Sequence, residues 1–267
     1  MKSEKPLIIA HRGASHFAPE NTLAAFQQAI VANADGIEFD VRLSKDNIPV
    51  VFHDANLRRL AKLKHRVVDL TAEELSQIDV GSWFNRTFPK HSDAKFSDEK
   101  IPTLAALLEF LKDYKCLIYI ELKGGKAQIR TLVEAVCGLL ESSHLLPNII
   151  IKSFNLEVVK IAKQTLPNVR TAALFEPKIL TILRKKKRIL EEAARCNADE
   201  ISIHFSMATK PFVSLAKENN FPVVIWTANN RAWVKRAVDF GISAIITNKP
   251  AQLLAERENF LKTLSDK

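Results

Sequence analysis

One rhythm constrains this chain more than any other feature. Short runs rich in β-branched residues alternate about eight times with stretches whose apolar residues recur at three and four. The runs are Leu7–Ala10, Gly36–Leu43, Cys116–Leu122, Asn148–Phe154, Val169–Phe175, Glu200–His204, Pro222–Thr227 and Ser243–Thr247. Helical patterns lie between most of them, at Thr131–Leu140, Leu156–Leu166, Lys178–Cys196, Pro211–Glu218, Arg231–Phe240 and Ala251–Leu261. That spacing gathers apolar side chains on one helical face, as a helix lying on a sheet requires. The alternation predicts an α/β fold, a parallel (β/α)8 barrel rather than an antiparallel sandwich. A doubly wound open sheet is the alternative, and no GxGxxG or Walker A loop supports it.

Local signals agree. Asn21 and Thr22 follow Pro19-Glu20 and can cap a first helix, Thr103 can cap another, and Pro250 stands where a last helix should begin. After Asp40 the chain is expected to make an extra hairpin, turning at Asp46-Asn47 and returning through Pro49–His53. Residues Ala55 to Lys100 then lose the barrel periodicity. Their aromatics, Trp83, Phe84, Phe88 and Phe96, argue for an ordered cap near the barrel mouth. The expected organisation is one barrel domain over residues 1–267, with a small cap subdomain inserted at 55–100.

Composition narrows the setting. With 267 residues, 47% of them hydrophobic, the chain suits one globular domain with a real core. No apolar run reaches the roughly 18 residues of a membrane span. The segment entered at Leu7 meets His11 and Arg12 too soon for a signal peptide, so a cytoplasmic protein without stable membrane insertion is expected. The three cysteines, Cys116, Cys137 and Cys196, are far apart and read as buried thiols. The formal net charge is +9, with a visible contribution from Arg184-Lys185-Lys186-Lys187-Arg188. That run reads as a solvated helix face. No zinc-finger, RNA-binding or helix-turn-helix pattern accompanies it, so no nucleic-acid partner is expected. Self-association as a homo-oligomer stays open.

Catalytic side chains of such barrels gather where strands end. His11-Arg12-Gly13 ends the first run, and Glu38 and Asp40 lie near the end of the second. His53 ends the hairpin, Glu121 and Lys123 close the third run, and Trp226 closes the seventh. Residues two apart on a strand face the same way, so Glu38 and Asp40 point together, as do Glu121 and Lys123. Carboxylates in an apolar barrel need a partner cation. Spacing alone leaves two equal readings. One is a site for a hard divalent ion, Mg²⁺ or Ca²⁺; the other is a structural salt-bridge network with Arg12 and Lys123. Charge favours the ion if all five groups meet, because three carboxylates against two cations would leave the cluster negative and repel an anionic substrate. His11 and His53 suit proton transfer near neutral pH. His204 is a candidate for the mouth, Trp226 is either core or a wall against substrate, and His16, His65, His91 and His144 read as loop or surface residues.

The series His11-Arg12-Gly13, Pro19-Glu20-Asn21-Thr22, Gly36-Ile37-Glu38-Phe39-Asp40-Val41, Pro49-Val50-Val51-Phe52-His53-Asp54, Asp79-Val80-Gly81-Ser82-Trp83-Phe84, Ile101-Pro102-Thr103-Leu104 and Glu121-Leu122-Lys123 resembles the glycerophosphodiester phosphodiesterases. Fainter matches follow at Ser153-Phe154, at Trp226-Thr227-Ala228-Asn229 and from Gly241 through Thr247. The resemblance implies a TIM barrel that hydrolyses glycerophosphodiesters to glycerol 3-phosphate and an alcohol. It implies metal ligation by Glu38, Asp40 and Glu121, acid/base roles for His11 and His53, and phosphate contacts from Arg12 and Lys123. Glu20 is implied as a mouth residue that orients the site or approaches the metal. Three departures stand out. Asn33 and Asn47 replace glycines, and Asn248 replaces an aspartate, a change expected to affect only a mouth or helix-cap contact. Two rivals are a lipid-directed phosphodiesterase using a similar site and a nucleic-acid-binding module suggested by the charge.

Overall fold

The structure is a computed structural model that describes residues 5–177 and 186–265. Its strands, in chain order, are β1 (Leu7–His11), β2 (Gly36–Leu43), β3 (Pro49–Val51), β4 (Leu117–Leu122), β5 (Ile149–Ser153), β6 (Arg170–Phe175), β7 (Glu200–His204), β8 (Val223–Trp226) and β9 (Ala244–Thr247). All but β3 pair in parallel around a ring that closes where β1 meets both β2 and β9. The fold is therefore a TIM barrel. Parallel strands covered on both faces need apolar residues at successive positions, as Ile149-Ile150-Ile151 of β5 shows.

The helices are α1 (Leu23–Val31), α2 (Arg58–Ala61), α3 (Ala72–Ser76), α4 (Ser82–Thr87), α5 (Leu104–Phe110), α6 (Ile129–Glu141), α7 (Leu156–Thr165), α8 (Lys186–Arg195), α9 (Lys210–Glu218), α10 (Ala232–Phe240) and α11 (Pro250–Ser265). The expected helix Lys178–Cys196 and the basic run Arg184–Arg188 fall partly outside the described residues, and α8 covers the rest. Threonine hydroxyls cap several helices: Thr22 accepts from the Ala25 N–H, Thr103 from Ala106 and Thr209 from Phe212. Each such cap is typically worth about 1 kcal/mol. Asn21 departs from its expected capping role. It sits at a φ of 60° and turns its amide toward β2 instead.

Two apolar layers hold the barrel. Ile9, Tyr119, Ile150, Ala172, Val224, Ala244 and Ile246 fill its interior. Larger clusters lie between strands and helices, one including Phe26, Ile37, Leu107 and Val133, the other Ile189, Ile203, Phe212 and Trp233. At the start of the strands, buried Glu200 accepts from the Tyr119 hydroxyl and pairs with Arg170. Cys137 and Cys196 are buried as expected, whereas Cys116 is only partly so.

The extra hairpin forms as expected. β3 runs antiparallel to the end of β2, with Val41 opposite Val51, and Asn47 takes the left-handed conformation with φ 60°. Between β3 and α5 lie α2 to α4 and short 3-10 turns at Val67–Asp69, Pro89–His91 and Ala94–Asp98. This segment has its own apolar cluster around Phe52, Leu57, Leu60, Val67, Leu75 and Val80. Phe84 and Phe96 join it to Ala18 and Ala25 of the β1–α1 region. Gly81 is required there, because a Cβ would fall 1.6 Å from the Phe96 carbonyl oxygen.

Candidate active site

The backbone turns sharply as β1 ends. Arg12 has φ 54° and Gly13 φ 78°, and a Cβ on Gly13 would lie 2.6 Å from the Ala25 carbonyl carbon. Only glycine fits that second position. The left-handed conformation costs Arg12 about 1–2 kcal/mol, and three contacts offset it. Its N–H donates to Glu38 Oε2 at 3.2 Å, its Nη1 donates to Glu20 Oε1 at 2.8 Å, and its Nε lies 3.1 Å from Asp40 Oδ2.

β2 and β4 are in register with Asp40 beside Glu121, and β4 and β5 with Glu121 beside Lys152. Side chains paired across parallel strands share a face, so the barrel interior receives Glu38, Asp40, Glu121 and Lys152 together. One oxygen from each of the three carboxylates lies within 4.8 Å of the others, and all three residues are buried. Lys123 Nζ pairs with Glu121 and lies 3.3 Å from Asp40 Oδ1. Lys152 Nζ lies 2.8 Å from Glu38 Oε1 and 3.9 Å from Glu121 Oε2. The three clustered carboxylates offer only oxygen donors, a set that suits a hard divalent cation.

Burial by itself raises every carboxyl here. At Asp40 the charges of Arg12 and Lys123 outweigh it and hold the group far below the usual range. At Glu38 the charges of Lys152 and His11 also outweigh burial and lower the group. Glu121 stays raised, because the Asp40 charge adds to burial and outweighs Lys152 and Lys123. Asn21 ties into the cluster by donating to Asp40 Oδ2 at 3.0 Å.

Each candidate proton-transfer residue is anchored through Nδ1. His11 Nδ1 lies 2.6 Å from Asn248 Oδ1, and its Nε2 lies 3.9 Å from Glu38 Oε2. His53 Nδ1 lies 2.6 Å from Asp54 Oδ1, and Asp54 Oδ2 in turn accepts from Arg59 Nε at 2.7 Å. Burial lowers both imidazoles below the ordinary value, despite the pull of Glu38 on His11 and of Asp40 on His53. With Nδ1–H facing an oxygen, each ring keeps a lone pair at Nε2.

Glu20 does not join the acidic triad. Its oxygens are taken by Arg12 and by a two-pronged contact from Arg59, with Nη1 at 2.8 Å and Nη2 at 2.7 Å. The carboxylate thus clamps the β1 turn to α2. At the opposite rim, Trp226 stands edge-on to Phe154, with centroids 5.3 Å apart, and to His204, at 5.4 Å. Lys123 Nζ sits 5.8 Å from the centre of the Phe154 ring. His65 and His144 are exposed, and His16 and His91 pack together against Phe17.

Two sequence expectations need correction. Asn248 contacts His11 directly, so its departure reaches a proton-transfer candidate rather than only a mouth or cap position. The charge balance also omitted Lys152. With it, three carboxylates face three cations and the cluster is neutral without an added ion. The signal was present, since a lysine following three isoleucines on a strand covered on both faces has to find a buried anion. The metal and salt-bridge readings are also not exclusive, because the carboxylates that pair with Arg12, Lys123 and Lys152 also lie close enough together to hold an ion.

Comparison with known proteins gives a consistent result. The chain matches the glycerophosphoryl diester phosphodiesterase family over residues 11–252. It is 35% identical over 243 residues to YhdW of Bacillus subtilis (strain 168), covering 91% of this chain and 94% of that one. It is 31% identical over 250 residues to the glycerophosphodiester phosphodiesterase of Caldanaerobacter subterraneus subsp. tengcongensis, covering 94% and 97%. The Oleispira antarctica phosphodiesterase, solved in complex with the product sn-glycerol-3-phosphate, superposes with a TM-score of 0.83 at 27% identity, over 95% of this chain and 97% of that one. The chain belongs to the glycerophosphoryl diester phosphodiesterase family and is a glycerophosphodiester phosphodiesterase.

Proposed function

We propose that this enzyme hydrolyses glycerophosphodiesters to sn-glycerol 3-phosphate and an alcohol, with His11 and His53 moving protons and Glu38, Asp40 and Glu121 holding Mg²⁺ or Ca²⁺. The observation that carries this reading is the convergence of three buried carboxylates with two Nδ1-anchored imidazoles at the ends of β1 to β4. When bound, the ion supplies positive charge to a phosphoryl oxygen and so favours the transition state. Arg12 and Lys123 orient the remaining phosphate oxygens, and Glu20 keeps Arg12 aimed by pairing with it. Trp226, with Phe154, forms a wall against the glycerol or the head group.

The adjacent glycerol hydroxyl attacks phosphorus and gives its proton to one imidazole at Nε2. The bond from phosphorus to the alcohol breaks, and the other imidazole, which enters the cycle as the imidazolium with a proton on Nε2, gives that proton to the departing oxygen. Water then opens the cyclic phosphate with the two imidazoles in reversed roles. Each proton transfer contributes about 10²–10⁴ to the rate. Residues 55–100 act as a cap subdomain over this mouth, within a single domain that works in the cytoplasm.

The test is turnover of a glycerophosphodiester panel, with lysophosphatidylcholine and single-stranded nucleic acid beside it, first in chelator and then with Mg²⁺ or Ca²⁺ restored. Ion-dependent release of glycerol 3-phosphate supports the reading. Preference for the lysophospholipid, or turnover indifferent to chelator, contradicts it.

A further inference from the structure

Lys152 is a buried lysine whose partners are the proposed ion ligands themselves. Its side chain is 2% exposed, and its ammonium stands 2.8 Å from Glu38 and 3.9 Å from Glu121. Lys123 differs in position. It follows β4 at the rim, keeps 16% of its side chain exposed and stands 5.8 Å from the centre of the Phe154 ring. Lys152 lies within β5, beside Glu121 in the sheet register, and reaches only inward. Without it, three buried carboxylates would face Arg12 and Lys123 alone, and the surplus negative charge would be costly in a medium of low polarity.

We propose that Lys152 is a resident cation of the acidic triad. It holds Glu38 and Glu121 in ligating position when no divalent ion is bound, and its charge weakens the affinity of the site for such an ion. The inference rests on the reading of the triad as an ion site and adds to it. The carboxylates stay arranged with or without the ion, so ion binding exchanges one charge balance for another and does not assemble the site. Lys152 is a positioning residue, and its effect is on ion affinity and on the stability of the ion-free protein.

The test is calorimetric titration with CaCl₂ and MgCl₂, together with thermal unfolding in chelator and in saturating ion. The proteins compared are the wild type, Lys152→Gln, Lys152→Arg and Glu121→Gln. Lys152→Gln should unfold at a lower temperature in chelator, bind the ion at least about tenfold more tightly because a buried like charge is gone, and gain more stability from the ion than the wild type does. Lys152→Arg keeps the charge and should keep wild-type affinity. An unchanged or weaker affinity in Lys152→Gln overturns the proposal, as does equal tightening in Lys152→Arg. So does a Lys152→Gln protein that stays unfolded in saturating ion, since the ion should replace the missing charge. If the wild type binds no ion, or Glu121→Gln binds it undiminished, the ion site itself is wrong and this inference falls with it. If those two controls behave as expected and only Lys152→Gln fails, the inference alone is wrong.

Discussion

Asn248 Oδ1 lies 2.6 Å from His11 Nδ1, and Asn248 is itself held, its N–H donating to Asn229 Oδ1 at 2.8 Å and its carbonyl accepting from the His16 N–H at 3.1 Å. A fixed oxygen at Nδ1 selects the tautomer that leaves Nε2 free on the side of Glu38. Removing that oxygen lets the ring turn without removing the imidazole. Asn248→Ala should lower kcat by about a hundredfold, the scale of a misplaced catalytic group, with a much smaller change in KM. Asn248→Asp restores an acceptor and should recover most of the rate. Steady-state kinetics of both variants checks this.

Glu20 should give a stability contribution with a defined pH sense. Burial raises its carboxyl, but the Arg59 and Arg12 contacts outweigh burial and leave it below the usual range. A depressed folded-state value contributes stability above the unfolded value and loses it as pH falls through the folded value. The wild type should therefore exceed Glu20→Gln in unfolding midpoint at neutral pH. The gap should shrink as pH falls below the ordinary carboxylate value of about 4.3. Denaturant unfolding across that range measures it, and a gap that widens in acid contradicts the clamp.

Gly13→Ala combines a positive φ with a backbone clash at Ala25. It should destabilise the fold by about 1–3 kcal/mol and shift His11 and Arg12 along with the turn, so turnover should fall as well. Thermal unfolding and activity of the same preparation separate the two effects. A variant with wild-type midpoint and rate would show that the turn is not confined.

Chelator should abolish turnover while the protein stays folded, because Lys152 and Lys123 continue to balance the carboxylates. Circular dichroism alongside the assay distinguishes this from unfolding. Collapse of the spectrum in chelator would mean that the ion is structural.

The barrel was legible because its physics is periodic. Eight strand runs appear within a residue or two of where they were read, since a helix-covered parallel strand permits little but apolar residues, and Thr103 and Pro250 mark helix starts through local hydrogen-bonding chemistry. His11, Arg12, Glu38, Asp40, His53, Glu121 and Lys123 were readable as strand-end polar residues. Their supporting contacts were not. Asn248 reaches His11 across 237 residues, and Arg59 reaches Glu20 across 39. No local pattern encodes a contact made by closing a ring. Lys152 carried a local signal, a charge inside an apolar run, but its partners lie on neighbouring strands. Asn21 shows the reverse case, since its type suits a cap while its position beside Asp40 gives it a different role.

The central claim is that two imidazoles flank the scissile phosphodiester above a carboxylate-held ion. The most direct measurement is turnover of glycerophosphocholine by a folded His11→Ala/His53→Ala double variant in saturating Mg²⁺ or Ca²⁺. The expected result is a native unfolding curve, retained ion binding and a rate reduced by about 10⁴-fold or more. A double variant that turns over at the wild-type rate would contradict the account.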